Sequence, residues 1–140
     1  MGMSSLFVDT SGWASLFIKT QTYYPQAEQY FRVALQQQQK IYTTNYVIAE
    51  LVALLNSPLR VSRSQIFEIV DAIKTVTYVE IIHIDSATDY LAWKLCKSRL
   101  DKAWSLVDCS SFVVMQQLKV LEALTTDQHF EQAGFIRLLK

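Results

Sequence analysis

Cysteine is nearly absent from this chain. Only Cys96 and Cys109 occur, with no CxxC spacing, which argues against a zinc ribbon or a disulfide framework and predicts two small buried hydrophobes in a reducing compartment. Histidine is as scarce. His83 and His129 form no HxxxH or HExxH pair, so a ligand role for His83 is not expected. The three glycines build neither GxxxxGK[ST] nor GxGxxG, which removes the common nucleotide-binding loops. Formal net charge is zero. A broad basic surface for nucleic acid is therefore excluded, because such surfaces work by clustering Lys and Arg, and nucleic acid remains possible only at one local site. No run approaches the roughly 18 apolar residues of a membrane span, and no basic segment followed by a long apolar one opens the sequence. A soluble cytoplasmic protein is expected.

What is present is apolar. Hydrophobic residues make up 51% of the 140 positions and charged ones 19%, enough to bury a core without disulfides and consistent with a single domain over 1–140. Apolar runs of strand length alternate with stretches of helical period. Leu6-Phe7-Val8 reads as a strand, Gly12 to Ile18 as a helix, and Pro25 to about Lys40 as another, with proline in its first turn. Ile41-Tyr42-Thr43 is a second strand, followed by a helix from Tyr46 to Asn56. Ser62-Arg63-Ser64-Gln65 has the form of a capping box and starts a helix reaching about Lys74. Tyr78 to Ile82 is a third strand, and Asp85-Ser86 opens the helix after it. An apolar helix spans Cys109 to Leu118. The strand before Asp127, a short helix from Gln128, and a closing strand at Phe135 to Leu138 complete the chain. Such alternation predicts an α/β fold with a mostly parallel sheet of four or five strands and helices on both faces.

Four acids stand out by position. Asp9 ends the first strand and is followed by Thr10 and Ser11; Asp127 follows Thr125-Thr126 in a similar setting. In open sheets ligands gather outside the carboxyl ends of strands. Asp108 opens the buried helix at Cys109, against the positive end of its dipole. Glu50 falls on the stripe made by Val47, Leu51 and Leu54, where a carboxylate must face a polar cleft, pair with a cation or hold a metal. Three have a plainer reading: Asp9 and Asp108 as helix caps, and Glu50 on a slightly rotated surface helix. Asp85 and Asp89 look like ordinary helix-start acids. Lys94, Lys97, Arg99 and Lys102 read as a solvated helix end, with a phosphate contact as the minor alternative.

Taken together, the first four acids are expected in one cleft. Two carboxylates about 6 Å apart repel by roughly 3 kcal/mol at an effective dielectric of about 20, so four of them, with no histidine or cysteine beside them, require a divalent cation. Oxygen ligands select hard ions, Mg²⁺ or Mn²⁺. Hydrolysis of a phosphodiester by metal-activated water follows as the expected reaction, since no oriented covalent nucleophile is evident.

Val8-Asp9-Thr10-Ser11, Thr44-Asn45 with Glu50, Trp104-Ser105-Leu106-Val107-Asp108-Cys109, and Leu124-Thr125-Thr126-Asp127-Gln128-His129-Phe130 together resemble the PIN-domain ribonucleases of the VapC-like toxin group, over about Leu6 to Leu138. The resemblance implies a three-layer sandwich, Mg²⁺- or Mn²⁺-dependent RNA cleavage, a homodimer, and a cognate antitoxin protein that blocks the cleft. It carries the family's acidic quartet onto Asp9, Glu50, Asp108 and Asp127, with Asp9, Asp108 and Asp127 on the metal and Ser11 and Asn45 as supporting polar residues. Val107 departs from the Thr common at that position. Two other functions compete: a catalytically silent PIN-like module binding RNA or protein, and a phosphatase of the haloacid-dehalogenase type. The second wants an Asp where Ser11 stands.

Overall fold

The computed structural model describes residues 4–140. Among them five strands alternate with seven helices: β1 Leu6–Val8, α1 Thr10–Phe17, α2 Tyr24–Gln36, β2 Ile41–Thr44, α3 Asn45–Asn56, α4 Arg63–Thr75, β3 Val79–Ile82, α5 Ser86–Ser98, α6 Leu106–Leu118, β4 Glu122–Leu124, α7 Gln128–Gln132 and β5 Ile136–Arg137. All strand pairs are parallel, in the order β3-β2-β1-β4-β5. The expected α/β sandwich is therefore observed. The chain steps outward from β1 through β2 to β3, then returns to the other side of β1 for β4 and β5. Between β1 and β4 the winding reverses, and at such a switch point the two loops leaving the strand ends diverge and open a crevice.

Helix starts follow their caps. The helix expected from Gly12 begins at Thr10 because the Asp9 side chain takes up a free amide, and the helix expected from Cys109 begins at Leu106 because Ser105 caps it. Asp108 is thus the third residue of α6 rather than its first. Ser105 and Asp108 form the reciprocal capping box; at Ser62 only the hydroxyl half is made, with the Gln65 amide. The second helix stops at Gln36, short of Lys40, as Gln38 turns left-handed at φ 56°. The last strand shortens to Ile136–Arg137.

The core lies on both sides of the central strands, with Phe7, Val8, Trp13, Ile41, Leu51, Met115, Leu124 and Phe130 fully buried. Phe130 of α7 packs edge-on against Phe112 of α6, ring centroids 5.0 Å apart. Gly12 sets how closely α1 meets the sheet: a Cβ there would fall 2.0 Å from the Leu124 carbonyl oxygen. Only glycine lets the start of α1 lie on the end of β4. Cys96 and Cys109, thirteen residues apart, bring their free thiols within 3.1 Å where α5 crosses α6. Burial pushes the Cys109 thiol up to about 12, leaving it an inert core residue, whereas Cys96, expected to be buried as well, is only half-buried. No helix of the described residues is long and apolar enough to cross a membrane.

Candidate metal centre

Asp9 sits where β1 ends beside β4, at the reversal of the sheet. As the N-cap of α1 its Oδ1 accepts from the Gly12 amide at 2.9 Å and the Ser11 hydroxyl at 2.8 Å, while Oδ2 accepts from the Thr125 hydroxyl at 2.7 Å. Both hydroxyls thereby spend their protons on Asp9. Their oxygens remain free to accept, Ser11 from the Thr126 amide and Thr125 from the Asp127 amide, each at 3.0 Å. The loop after β4 is in this way laced to the start of α1, which delivers Asp127 to the same crevice as Asp9.

A surface cap with three donors would be a strong acid. Asp9 is instead raised to about 7, because burial disfavours its charge more than the Thr125, Gly12 and Ser11 hydrogen bonds favour it, and the Asp127 charge pushes the same way. Only 7% of the residue is exposed. A carboxylate held on the edge of ionisation at neutral pH is one that a nearby cation would fix in the charged form.

The other two aspartates are oriented by helix starts. Asp108 Oδ2 accepts from the Ser105 amide at 3.0 Å, while its own amide donates to Ser105 Oγ. Asp127 caps α7, its Oδ1 accepting from the His129 amide at 2.9 Å. His129 then turns its ring back into the site. Its Nδ1 lies 3.0 Å from Asp108 Oδ2 and 3.4 Å from Asp127 Oδ1. The expectation that no histidine accompanies the acids is overturned, because a helix start returns the residue two positions after Asp127 toward its own cap. Donor atoms of Asp108, Asp127 and His129 all fall within 4.8 Å of one another. Two carboxylates and a ring nitrogen form a donor set that fits a divalent cation, and the buried Asp9 lies alongside, close enough for the Asp127 charge to act on it.

Glu50 is a more distant member. The buried face of α3 comprises Val47, Ile48, Leu51 and Leu55, so Glu50 occupies the half-exposed edge of that face, in the second helical turn. The Thr10 hydroxyl donates to its Oε1 at 2.5 Å, tying it to the residue after Asp9. Asn45 stands apart from the acids: its Oδ1 accepts from the Ile84 amide at 2.8 Å and pins the segment after β3 to the start of α3. Val107 is partly buried and packs against the main core. Asp89, read as an ordinary helix-start acid, takes the Tyr46 hydroxyl at 2.7 Å.

Thr10, Thr125 and His129 are the site residues that pattern reading passed over. Thr125 and His129 stand two positions either side of Asp127, and that spacing was the available signal.

The PIN domain family model matches residues 6–136. The 23S rRNA-specific endonuclease VapC20 of Mycobacterium tuberculosis is 29% identical over 133 residues, covering 95% of this chain and 97% of that protein. The crystal structure of VapC20, described as a Sarcin-Ricin loop cleaving toxin, superposes with a TM-score of 0.83 at 27% identity, over 97% of this chain and 100% of that one. FitAcB from Neisseria gonorrhoeae shares the fold, with a TM-score of 0.67 at 11% identity over 96% of each chain. A match spanning nearly every strand and helix places the chain in the PIN-domain family, as a homologue of the VapC-like toxin ribonucleases.

Proposed function

We propose that the chain is a Mg²⁺- or Mn²⁺-dependent endoribonuclease that hydrolyses RNA phosphodiester bonds at the Asp9, Asp108 and Asp127 cleft, as the toxin of a toxin–antitoxin pair. One observation carries this reading: Asp108 and Asp127 meet at His129, and the buried Asp9, bonded through Thr125 to the loop that carries Asp127, stands close enough for the Asp127 charge to act on it. Asp9, Asp108 and Asp127 hold the ion. A hard divalent cation supplies Lewis-acid activation of water and neutralises charge on the phosphodiester. Ser11 and Thr125 aim both oxygens of Asp9, and the Ser105 box fixes Asp108. Glu50, held by Thr10, accepts a proton from the attacking water.

The substrate class follows from VapC20: a hairpin of large ribosomal RNA of the sarcin–ricin type is the first RNA to assay. The cognate antitoxin occupies the groove of the helices between Tyr23 and Lys74 and neutralises the cleft with a basic residue. The chain works in the cytoplasm as a homodimer of single domains, each spanning 1–140, and Asn45 supports the site indirectly by fixing the start of α3.

Purified protein with Mn²⁺ should cut the hairpin. Asp9→Asn should reduce the rate by at least about a thousandfold while leaving the far-ultraviolet circular dichroism spectrum unchanged. Equal rates for parent and variant would overturn the assignment of roles.

A further inference from the structure

We infer that His129 is itself a ligand of the cation, making this a mixed nitrogen and oxygen centre that takes first-row ions such as Mn²⁺ ahead of Mg²⁺. The inference rests on the reading of the cleft as a metal centre and departs from the hard, all-oxygen site that the acids alone suggest.

The geometry supports it first. In a six-coordinate ion with bonds of about 2.1–2.2 Å, neighbouring donors are separated by roughly 3 Å. The separations of 3.0 Å from His129 Nδ1 to Asp108 Oδ2 and 3.4 Å to Asp127 Oδ1 are of that size. The ring therefore stands at donor spacing from both carboxylates at once.

The placement is also prepared in advance. The His129 amide is held by Asp127 Oδ1, and the next residue, Phe130, is fully buried against Phe7 and Phe112. The ring thus projects from a start of α7 that is anchored on both sides. No competing side-chain cation stands in the way. Among the described residues neither Lys nor Arg lies within ion-pair distance of Asp108 or Asp127; Arg137, although it donates to the Thr126 carbonyl, pairs with Glu131.

A histidine that only hydrogen-bonds to Asp108 and one that binds the ion differ in a measurable property. Imidazole nitrogen is a good ligand for first-row divalent ions and a poor one for magnesium, which prefers oxygen. A ligand histidine therefore sets the preference between ions, whereas a histidine outside the coordination sphere supports every ion alike.

Protein labelled with ¹⁵N-histidine and loaded with Mn²⁺ should show, by pulsed electron paramagnetic resonance, the coupling of one directly bound ¹⁵N nucleus. His83→Gln should retain that coupling and His129→Gln should lose it. In calorimetric titrations His129→Gln should weaken Mn²⁺ by about tenfold or more and Mg²⁺ by less than about threefold. The labelled parent protein gives its answer even where the variant folds poorly. Bound Mn²⁺ without histidine coupling, or an equal loss for both ions, would overturn the ligand role and leave the metal centre standing. No Mn²⁺ binding at all would overturn both.

Discussion

Asp9 and Asp85 begin from the same local design and end in opposite chemistry. Each follows a strand, takes extended backbone, caps a helix and accepts the amide three residues on, from Gly12 at 2.9 Å and from Thr88 at 2.8 Å. Asp85 lies beyond β3, an edge strand, in open solvent, and the Thr88 amide holds its carboxyl below the ordinary range. Asp9 lies beyond β1, at the centre, and burial drives it up to about 7. The cap is common to both; position in the sheet order decides which acid is a structural anchor and which is available to a cation.

The largest expected effect is on how stability depends on pH. In metal-free protein the folded Asp9 pKa near 7 exceeds that of the unfolded chain, so the native state holds the proton more tightly. The stability this contributes is complete below about pH 4 and is lost as pH rises through about 7, a change on the order of 4 kcal/mol at about 1.4 kcal/mol per pKa unit. Urea melts between pH 4 and 8 should show that fall, millimolar Mn²⁺ should reverse it at the upper end, and Asp9→Asn should flatten it. A slope unchanged in Asp9→Asn would mean that the shift does not belong to this residue. Asp85 acts in the other direction: its smaller contribution is present above its unfolded pKa and lost as pH falls through the lowered one.

Gly12→Ala tests whether close contact of α1 with β4 is what makes the centre. Because the added carbon would meet a backbone oxygen rather than a flexible side chain, we expect a loss of about 3 kcal/mol in urea denaturation. The variant should also bind Mn²⁺ at least about tenfold more weakly, since Asp9 and Thr125 can no longer meet. Ser105→Ala removes the hydroxyl half of the α6 box. It should cost about 1 kcal/mol and lower Mn²⁺ affinity several-fold by loosening Asp108. The smallest effect is expected for Asp85→Ala, which should lower the melting temperature slightly and leave Mn²⁺ binding unchanged; weaker Mn²⁺ binding there would erase the contrast between the two caps.

Most elements were legible because hydrophobic period and caps are local. The strand at Leu6–Val8 and the helix over α3 could both be anticipated. Errors fell where a neighbour three or four residues away shifted a boundary. The Ser105 and Asp108 capping box starts α6 about one turn before the apolar run at Cys109. The stripe Val47, Leu51 and Leu54 puts Glu50 on the core face, but the buried set is Val47, Ile48, Leu51 and Leu55, which rotates the face and leaves Glu50 at its edge. The companionship of His129 with Asp108 spans 21 residues and depends on how α7 packs against α6.

By itself the sequence determined where strands and helices alternate and which acids terminate them, because those properties are set by residues within one or two turns. Tertiary structure alone decided that β1 and β4 are neighbours, and with it the hydrogen bond between Thr125 and Asp9 across 116 residues, the burial that lifts the Asp9 pKa, and the histidine among the carboxylates. Strand order is a choice among long-range pairings whose cost and reward lie in loop closure and shared burial, and no local pattern in the chain encodes it.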